Sequence, residues 1–127
     1  MIRPQIEHLN VTHLGGLKAL FEAAWCGYGA RWAWNPEDTL VALHDGTVVG
    51  FVTSWTSGQP FAWIDWLTVH PDYHNQGVGA YLFCFMEDML HQRGIMRIRF
   101  ILRDPALQDI VLRSGYREIG VYKVFDG

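Results

Sequence analysis

The 127-residue sequence predicts a single α+β domain built on one twisted mixed sheet. Three observations support this prediction. Asp45-Gly46 between two apolar runs is a strong signal for an antiparallel hairpin. A polar, glycine-bearing turn joins the apolar run 61–69 to an apolar-periodic run, which indicates a strand followed by a helix. A further apolar run, 95–102, follows that helix, and this order is typical of a crossover between parallel strands.

The first half of the chain supplies three strands and one helix. Residues 2–7 form a first strand, which Pro4 confines to a sheet edge or an irregular position. Asn10 is a suitable N-cap for a helix that runs to about Trp25, because apolar residues recur there at helical spacing. The hairpin strands follow, at Thr39–His44 and Thr47–Trp55.

The second half is predicted to alternate strand and helix. The strand Phe61–Val69 precedes a helix over 77–93, which Gly94 can end in a left-handed cap. Ile95–Leu102 is the next strand, and the crossover to it should be parallel and right-handed. The remaining elements are a helix from Asp104-Pro105 to about Arg113 and a last strand, Tyr116–Phe125.

Composition excludes several classes of protein. Half of the residues are hydrophobic, 18% are charged and the net charge is −3, so neither a disordered chain nor a general nucleic-acid surface is expected. Cys26 and Cys84 imply no disulfide framework, and no His/Cys/Asp/Glu spacing suggests a metal site. No run of 18 apolar residues is present. We therefore expect a soluble cytoplasmic protein without membrane or nucleic-acid partners.

The turn after strand 61–69 has the features of an anion site. It reads Val69-His70-Pro71-Asp72-Tyr73-His74-Asn75-Gln76-Gly77-Val78-Gly79-Ala80. The first amides of a helix lack intrahelical partners and the helix dipole favours negative charge there, so a phosphate can bind. Gly77 and Gly79 have no Cβ and let the backbone approach a ligand closely.

This segment resembles the acyl-CoA-binding motif of the GNAT superfamily of N-acyltransferases, which reads roughly V-x-P-x-x-(Q/R)-x-x-G-x-(G/A). Four positions match it: Val69, Pro71, Gly77 and Gly79. His74 stands where Gln or Arg is usual, and Asn75 replaces a common glycine. The resemblance spans nearly the whole chain and implies a GNAT-like twisted mixed sheet with helices on both faces.

The resemblance also implies a reaction, the transfer of an acetyl group from acetyl-CoA to a primary amine of a small molecule or a peptide N-terminus. The pantetheine arm would bind the backbone of Leu67, Thr68 and Val69 on a strand opened by a bulge. The N–H of Leu67 would polarise the thioester carbonyl. The other predicted cofactor contacts are His74, Asn75, Gln76, Gly77, Val78, Gly79, Ala80 and Asp104. No arrangement of nucleophile and base suggests a covalent intermediate, so direct attack in a ternary complex is expected.

Asp65 is the candidate general base. A carboxylate on an apolar strand is costly unless it faces a cleft or is paired. Beside the opened strand it could take a proton from the amine, directly or through water. A structural aspartate that accepts a bond from a backbone N–H or an arginine is the alternative interpretation.

Two departures from the family pattern leave other functions open. Val111 stands where the family commonly has a tyrosine that protonates the CoA thiolate; Tyr122 or Tyr28 are the expected replacements. The sequence stops at Gly127 without the family's further strand, so a homodimer that covers the open edge is an expectation. An acyl-CoA-binding regulatory module without turnover and a cofactor-free interaction protein are the alternatives.

Aromatic residues are predicted to form the acceptor side. The resemblance places the first loop over the acceptor cleft, and that region holds Trp25, Tyr28, Arg31, Trp32 and Trp34. On the central strands, regular alternation places Trp63 and Trp66 on opposite faces. An aromatic-walled pocket would suit an apolar or aromatic amine or a peptide terminus, and ordinary core packing is the alternative for each ring.

Overall fold

The structure is a computed structural model that describes residues 2–25, 35–56, 61–102 and 104–117, with Trp25 described by its backbone alone. Five strands form one sheet in chain order: β1 (Gln5–His8), β2 (Thr39–His44), β3 (Thr47–Trp55), β4 (Phe61–Val69) and β5 (Arg97–Phe100). In these ranges there are three α-helices, α1 (Leu14–Trp25), α2 (Val78–Gln92) and α3 (Gln108–Arg113).

The strand pairing confirms the predicted mixed sheet. Strands β1 to β4 form an antiparallel meander, and β5 pairs with β4 in parallel. The hairpin between β2 and β3 turns at Asp45 and Gly46, whose φ angles are +50° and +78°. Positive φ at both central residues is the requirement of the turn that Asp-Gly favours in hairpins, so the sequence signal and the geometry agree.

Helices cover both faces of the sheet, as the resemblance implied. Helix α1 buries Leu17, Leu20 and Phe21 against Val41, Phe51 and Trp66 on one face. Helix α2 buries Leu82, Phe83, Met86 and Leu90 against Val52, Ile64 and Leu67 on the other. Each helix thus presents an apolar face to its own side of the sheet, and the polar face remains in solvent.

Element ends differ from the prediction where local capping intervenes. Asn10 is confirmed as an N-cap and accepts a bond from Thr12 N–H (2.8 Å), but a 3-10 turn, Val11–His13, precedes α1. Strand β5 starts two residues later than predicted, because Ile95 N–H still donates to Leu90 O (3.0 Å) in the cap of α2. Gly94 takes φ +84° in that cap, as expected. A 3-10 turn, Pro105–Leu107, likewise precedes α3.

Other predictions extend beyond the described residues. The last predicted strand, Tyr116–Phe125, lies outside them apart from its first two residues. The right-handedness of the crossover and the assignment of residues 1–127 to one domain stay predictions. Among the helices of the described ranges, none has the length and apolar character needed to cross a membrane. The same ranges contain no group of three or more His, Cys, Asp or Glu side chains placed to hold a metal ion.

Candidate functional site

A β-bulge interrupts β4 at its centre. Phe51 of β3 is opposite Thr68, whereas Thr53 is opposite Asp65, so two steps on β3 correspond to three on β4. Trp66, within the extra step, has φ +55°. A bulge of this kind inserts one residue into a strand and bends it, which is the feature that the resemblance implied for this strand.

The bulge overturns the prediction that Trp63 and Trp66 lie on opposite faces. Trp66 packs edge-on against Phe21 of α1, with ring centroids 6.2 Å apart. Trp63 stacks on Trp55, which shares the α1 face with Phe51 by two-residue alternation along β3. The extra residue reverses the alternation along β4, so both tryptophans lie on the α1 side.

Strands β4 and β5 separate immediately before the bulge. Their pairing ends at Ile64 and Phe100, followed by one bond from Ile101 N–H to Ile64 O (2.9 Å). Among the described residues, β3 is the one strand that continues beside β4 as far as Val69, so a gap opens on the other edge of β4.

The backbone groups that face this gap follow from alternation. His70 N–H donates to Val49 O of β3 (2.9 Å), so Thr68, two residues earlier, also points towards β3. Leu67 and Val69 then point towards the gap. Of the three residues predicted to contact the pantetheine arm, these two have the suitable direction, whereas Thr68 Oγ1 donates to Trp66 O (3.2 Å).

A row of backbone amides follows at the start of α2. Its members are Asn75, Gln76, Gly77, Val78, Gly79 and Ala80, and none of their N–H groups has a protein acceptor in the described part of the chain. The first helical bond runs from Tyr81 N–H to Gly77 O (3.0 Å). Unpaired N–H groups at the positive end of a 15-residue helix form a site for an anion such as pyrophosphate.

Positive φ angles shape this amide row. Gly77 has φ +87°, in the region that glycine adopts without strain, and Asn75 has φ +62°. Asparagine tolerates this region better than most residues, which explains how Asn75 can replace a common family glycine. Gly79 has a packing role, because a Cβ there would lie 2.8 Å from Ile110 Cδ1 of α3.

His74 connects the turn to the end of β4. Its Nε2 lies 3.0 Å from Val69 O, and because a carbonyl only accepts, Nε2 carries the proton and donates. Only Nδ1 then remains for the predicted phosphate contact. On the other side of the turn, Gln76 O accepts a bond from Ile2 N–H (3.1 Å), so both ends of the turn are held by neighbouring backbone.

Asp65 lies at the bulge and beside a cavity. Its residue is 5% exposed, and its Oδ1 accepts a bond from Trp66 N–H (2.7 Å). A cavity of about 240 Å³ is bounded by Asn35, Asp38, Thr53, Ser54, Trp55, Asp65 and Trp66. Both interpretations of Asp65 are therefore compatible with the structure. The carboxylate borders a cleft, and it accepts a hydrogen bond from a backbone N–H.

Hydrogen bonds hold the wall of this cavity. Thr39 Oγ1 lies 2.8 Å from Thr53 Oγ1 and also donates to Asn35 O (2.8 Å), and Asn35 Nδ2 donates to Asp38 Oδ2 (3.0 Å). Arg93, after the last residue of α2, donates to Asp38 Oδ1. Helix α2 thus begins at the amide row, and Arg93, directly after its end, holds Asp38 in the cavity wall.

Sequence reasoning missed this wall. The signal that could have indicated it is the polar pair Thr53-Ser54 near the end of an otherwise apolar strand. Both side chains are buried, and both are linked to the segment before β2. Ser54 Oγ donates to Asp38 O (3.1 Å). Thr53 is linked through Thr39, the first residue of β2, whose Oγ1 donates to Asn35 O.

The remaining predicted residues have structural partners or are not described. Asp104 caps a 3-10 turn, with Oδ1 accepting a bond from Ala106 N–H (3.0 Å). Val111 is half-buried against the core on the α2 face. Burial, and then the bond that its phenol donates to Glu87 (2.8 Å), raise the pKa of Tyr116. Outside the described residues lie Tyr28, Arg31, Trp32, Trp34, Tyr122 and the side chain of Trp25.

A larger cavity, of about 750 Å³, follows β5 and the end of α3. The described residues that bound it belong neither to the bulge nor to the amide row. Residues 118–127, the next in the chain, are not described, so we assign this cavity no ligand.

Solved structures with the same fold are numerous. The ribosomal-protein-S18-alanine N-acetyltransferase from Escherichia coli is 19% identical, with a TM-score of 0.72 over 92% of this chain and 79% of that one. Aminoglycoside N-acetyltransferase AAC(6')-Iy, solved in complex with CoA, is 17% identical, with a TM-score of 0.72 over 98% and 95%. Ard1 from Thermoplasma volcanium is 18% identical, with a TM-score of 0.72 over 91% and 82%. At these identities the likeness establishes the fold alone.

The sequence itself establishes the family. A comparison with curated proteins gives no match. The profile of the Acetyltransferase (GNAT) family, however, matches residues 11–120, which is most of the chain and includes the bulge, the amide row and Asp65. The chain therefore belongs to the GNAT family of acetyltransferases, a family of acyl-CoA-dependent enzymes.

Proposed function

We propose that the chain transfers an acetyl group from acetyl-CoA to a primary amine by direct attack in a ternary complex. The observation that carries this proposal is the arrangement along β4. Asp65 borders the cavity at the bulge, Leu67 and Val69 point into the gap between β4 and β5, and the amide row follows the end of the strand. One strand thus provides a place for each part of the reaction.

Binding of acetyl-CoA would use backbone groups. The amides 75–80 would hold the pyrophosphate, and Val69 would bond the pantetheine arm as it enters the gap. The N–H of Leu67 would donate to the thioester oxygen as charge develops on it. Loss of such a donor typically lowers the rate by about a hundredfold or more.

The transfer itself requires two proton movements. An acceptor that arrives as an ammonium ion loses one proton to the Asp65 carboxylate or, through water, to solvent. The amine nitrogen then forms a bond to the carbonyl carbon, the carbon–sulfur bond breaks, and the nitrogen loses its second proton. Val111 cannot protonate the departing sulfur, but a thiol pKa near about 8.5 makes the thiolate a workable leaving group that solvent can protonate.

Val111 also favours a second candidate, an acyl-CoA-binding regulatory module without turnover. Its half-buried side chain packs in the core and offers no proton at the position where the family commonly has tyrosine. A cytoplasmic location, a homodimer, and the absence of membrane and nucleic-acid partners stay predictions.

Two measurements test these candidates in sequence. Calorimetry with acetyl-CoA tests binding, and release of free thiol with a panel of primary amines tests turnover. The transferase predicts binding and amine-dependent thiol release, whereas the regulatory module predicts binding alone. If calorimetry detects no binding of acetyl-CoA at saturating concentration, both candidates are wrong.

A further inference from the structure

Few bonds hold the amide row at the start of α2. Within the described part of the chain, the N–H groups of residues 75–80 have no protein acceptor, so they do not fix their own orientation. Asn75 and Gly77 also have positive φ angles, +62° and +87°. A residue other than glycine keeps a positive φ only where the surrounding structure holds it there. The orientation of the row therefore depends on contacts made by neighbouring groups.

His74 makes one of these contacts. It follows the 3-10 turn Pro71–Tyr73, and its backbone N–H donates to Pro71 O (3.3 Å). Its half-buried side chain reaches back five residues to the end of β4, where Nε2 donates to Val69 O (3.0 Å). The backbone of Val69 faces the gap, so this bond joins the open edge of β4 to the residue directly before the amide row.

Backbone groups make the other contacts. Gln76 O accepts a bond from Ile2 N–H (3.1 Å), and Gly77 O accepts one from Tyr81 N–H (3.0 Å) as α2 begins. Among the described hydrogen bonds of residues 74–77, the bond from His74 Nε2 is thus the one that a side chain makes. It is therefore the bond that a single substitution can remove without a change in the backbone.

The proton on Nε2 also restricts what the other ring nitrogen can do. In a neutral imidazole with the proton on Nε2, Nδ1 is an acceptor. The oxygens of an ionised pyrophosphate are acceptors too, so no hydrogen bond forms between them and the Nδ1 of a neutral His74. The bond from Nε2 to Val69 O is therefore the contact through which the neutral ring can influence the cofactor site.

We propose that His74 is a positioning residue for CoA, and that its bond to Val69 O holds the amide row in the orientation that binds the pyrophosphate. This inference rests on the proposed function and names a residue that prepares the cofactor site without touching the reacting atoms. A loop that is already held in its bound orientation loses less conformational freedom when the ligand arrives, so the affinity is higher. The bond thus contributes to the affinity for CoA from outside the pyrophosphate site.

Calorimetry with CoA on two amide variants tests this proposal. The amide nitrogen of glutamine lies about as far from the backbone as Nε2 of histidine, whereas that of asparagine lies about as far as Nδ1. His74→Gln keeps a donor for Val69 O and should bind CoA within about twofold of the wild type. His74→Asn loses that donor and should bind about fivefold to tenfold more weakly, the effect of one hydrogen bond. Wild-type affinity in His74→Asn with a loss in His74→Gln would overturn the proposal.

A third variant separates the hydrogen bond from the packing of the ring. His74→Phe keeps an aromatic ring but has no donor, so its affinity for CoA should fall by about the same factor as in His74→Asn. It also gives a second loss of the donor that does not depend on whether His74→Asn folds. His91→Asn is the matched control, because His91 is an exposed histidine on α2, and it should leave the affinity unchanged. Wild-type affinity in His74→Phe would show that the bond has no part in CoA binding.

Direct binding also separates this inference from the proposed function, because calorimetry with CoA needs no turnover. Affinity that His74→Gln retains and His74→Asn weakens, without thiol release from acetyl-CoA with any amine, would support the positioning role and reject the transferase. Thiol release by the wild type, with equal CoA affinity in all three variants at position 74, would keep the transferase and reject the positioning role.

Discussion

Asp65 has a structural role in the bulge and, under the proposed function, a chemical role as the general base. Its Oδ1 accepts a hydrogen bond from the backbone N–H of Trp66 and thereby helps to fix the bulge, while its carboxylate borders the cavity that we propose for the acceptor. Asparagine keeps an Oδ1 acceptor at the same place but cannot take a proton. The substitution to asparagine can therefore separate the chemical role from the structural one.

For Asp65→Asn we expect kcat to fall by about a hundredfold or more, with acetyl-CoA affinity retained. Steady-state thiol release as a function of pH measures kcat, and calorimetry measures the affinity for acetyl-CoA. Asp88→Asn, an exposed carboxylate on α2, is the control and should leave both unchanged. A variant at position 65 with the wild-type pH–rate profile would remove this carboxylate from the mechanism.

Titration of Tyr116 should make the free energy of unfolding depend on pH in the alkaline range. Because its pKa is raised in the folded state, the unfolded chain loses the phenol proton first, at its ordinary pKa of about 10. The stabilisation is therefore complete below pH 10 and decreases as the pH rises above it. The slope cannot exceed about 1.4 kcal/mol per pH unit, the limit for a single proton, and screening of the partly exposed phenol reduces the total loss.

Denaturant unfolding between pH 8 and about 11 measures this slope. Relative to Tyr116→Phe, which has no phenol to titrate, the wild type should lose free energy of unfolding above pH 10. Glu87→Gln keeps an acceptor but removes the charge, so its loss should be smaller. Parallel curves for wild type and Tyr116→Phe would show that the phenol proton is not held by the fold.

Among the elements, α1 contains two adjacent glycines with opposite constraints. A Cβ on Gly15 would have no neighbour within 4 Å, whereas one on Gly16 would lie 2.8 Å from Val48 Cγ2 of β3. Gly15→Ala should stabilise the protein by about 0.5–1 kcal/mol through helix propensity. Gly16→Ala should destabilise it by about 1–3 kcal/mol, because α1 packs there directly on the sheet.

Urea unfolding of the two variants measures both changes under the same conditions. Gly16→Ala combined with Val48→Ala should destabilise the protein by less than the sum of the two single substitutions, since the clashing methyl group is removed. Stabilisation by Gly16→Ala alone would mean that α1 does not approach β3 as closely as the structure indicates.

The turn, the caps and the bulge show how much of each element can be predicted from the sequence. Local signals with a fixed geometry were sufficient for the Asp45-Gly46 hairpin, the Asn10 cap and the Gly94 cap, and all three are confirmed. The extra residue at Trp66 has no such signal, because its position depends on the register of β3 against β4. The faces of Trp63 and Trp66 could therefore not be predicted by alternation.

At the scale of the whole molecule, β4 and α2 connect the amide row to the cavity beside Asp65. Strand β4 borders this cavity at its bulge and leads into the amide row. Helix α2 starts at that row, and Arg93 after its end bonds Asp38 at the cavity wall. The two regions are thus parts of one packed unit but use different residues, so substitutions should affect them independently.

Linkage between acetyl-CoA binding and stability tests this independence. A ligand that binds the folded state alone adds about 2.7 kcal/mol to the free energy of unfolding at a concentration one hundred times its Kd. The increase should persist in Trp55→Leu, which alters the cavity beside Asp65, and in Asn75→Gly, because glycine adopts φ +62° readily. Asn75→Val should lose about 1–2 kcal/mol of stability, since a β-branched residue is strained at that φ, and should also lose most of the increase as the amides turn away from the pyrophosphate. Urea unfolding with and without acetyl-CoA measures both quantities, and a full increase in Asn75→Val would show that acetyl-CoA is bound without the amide row.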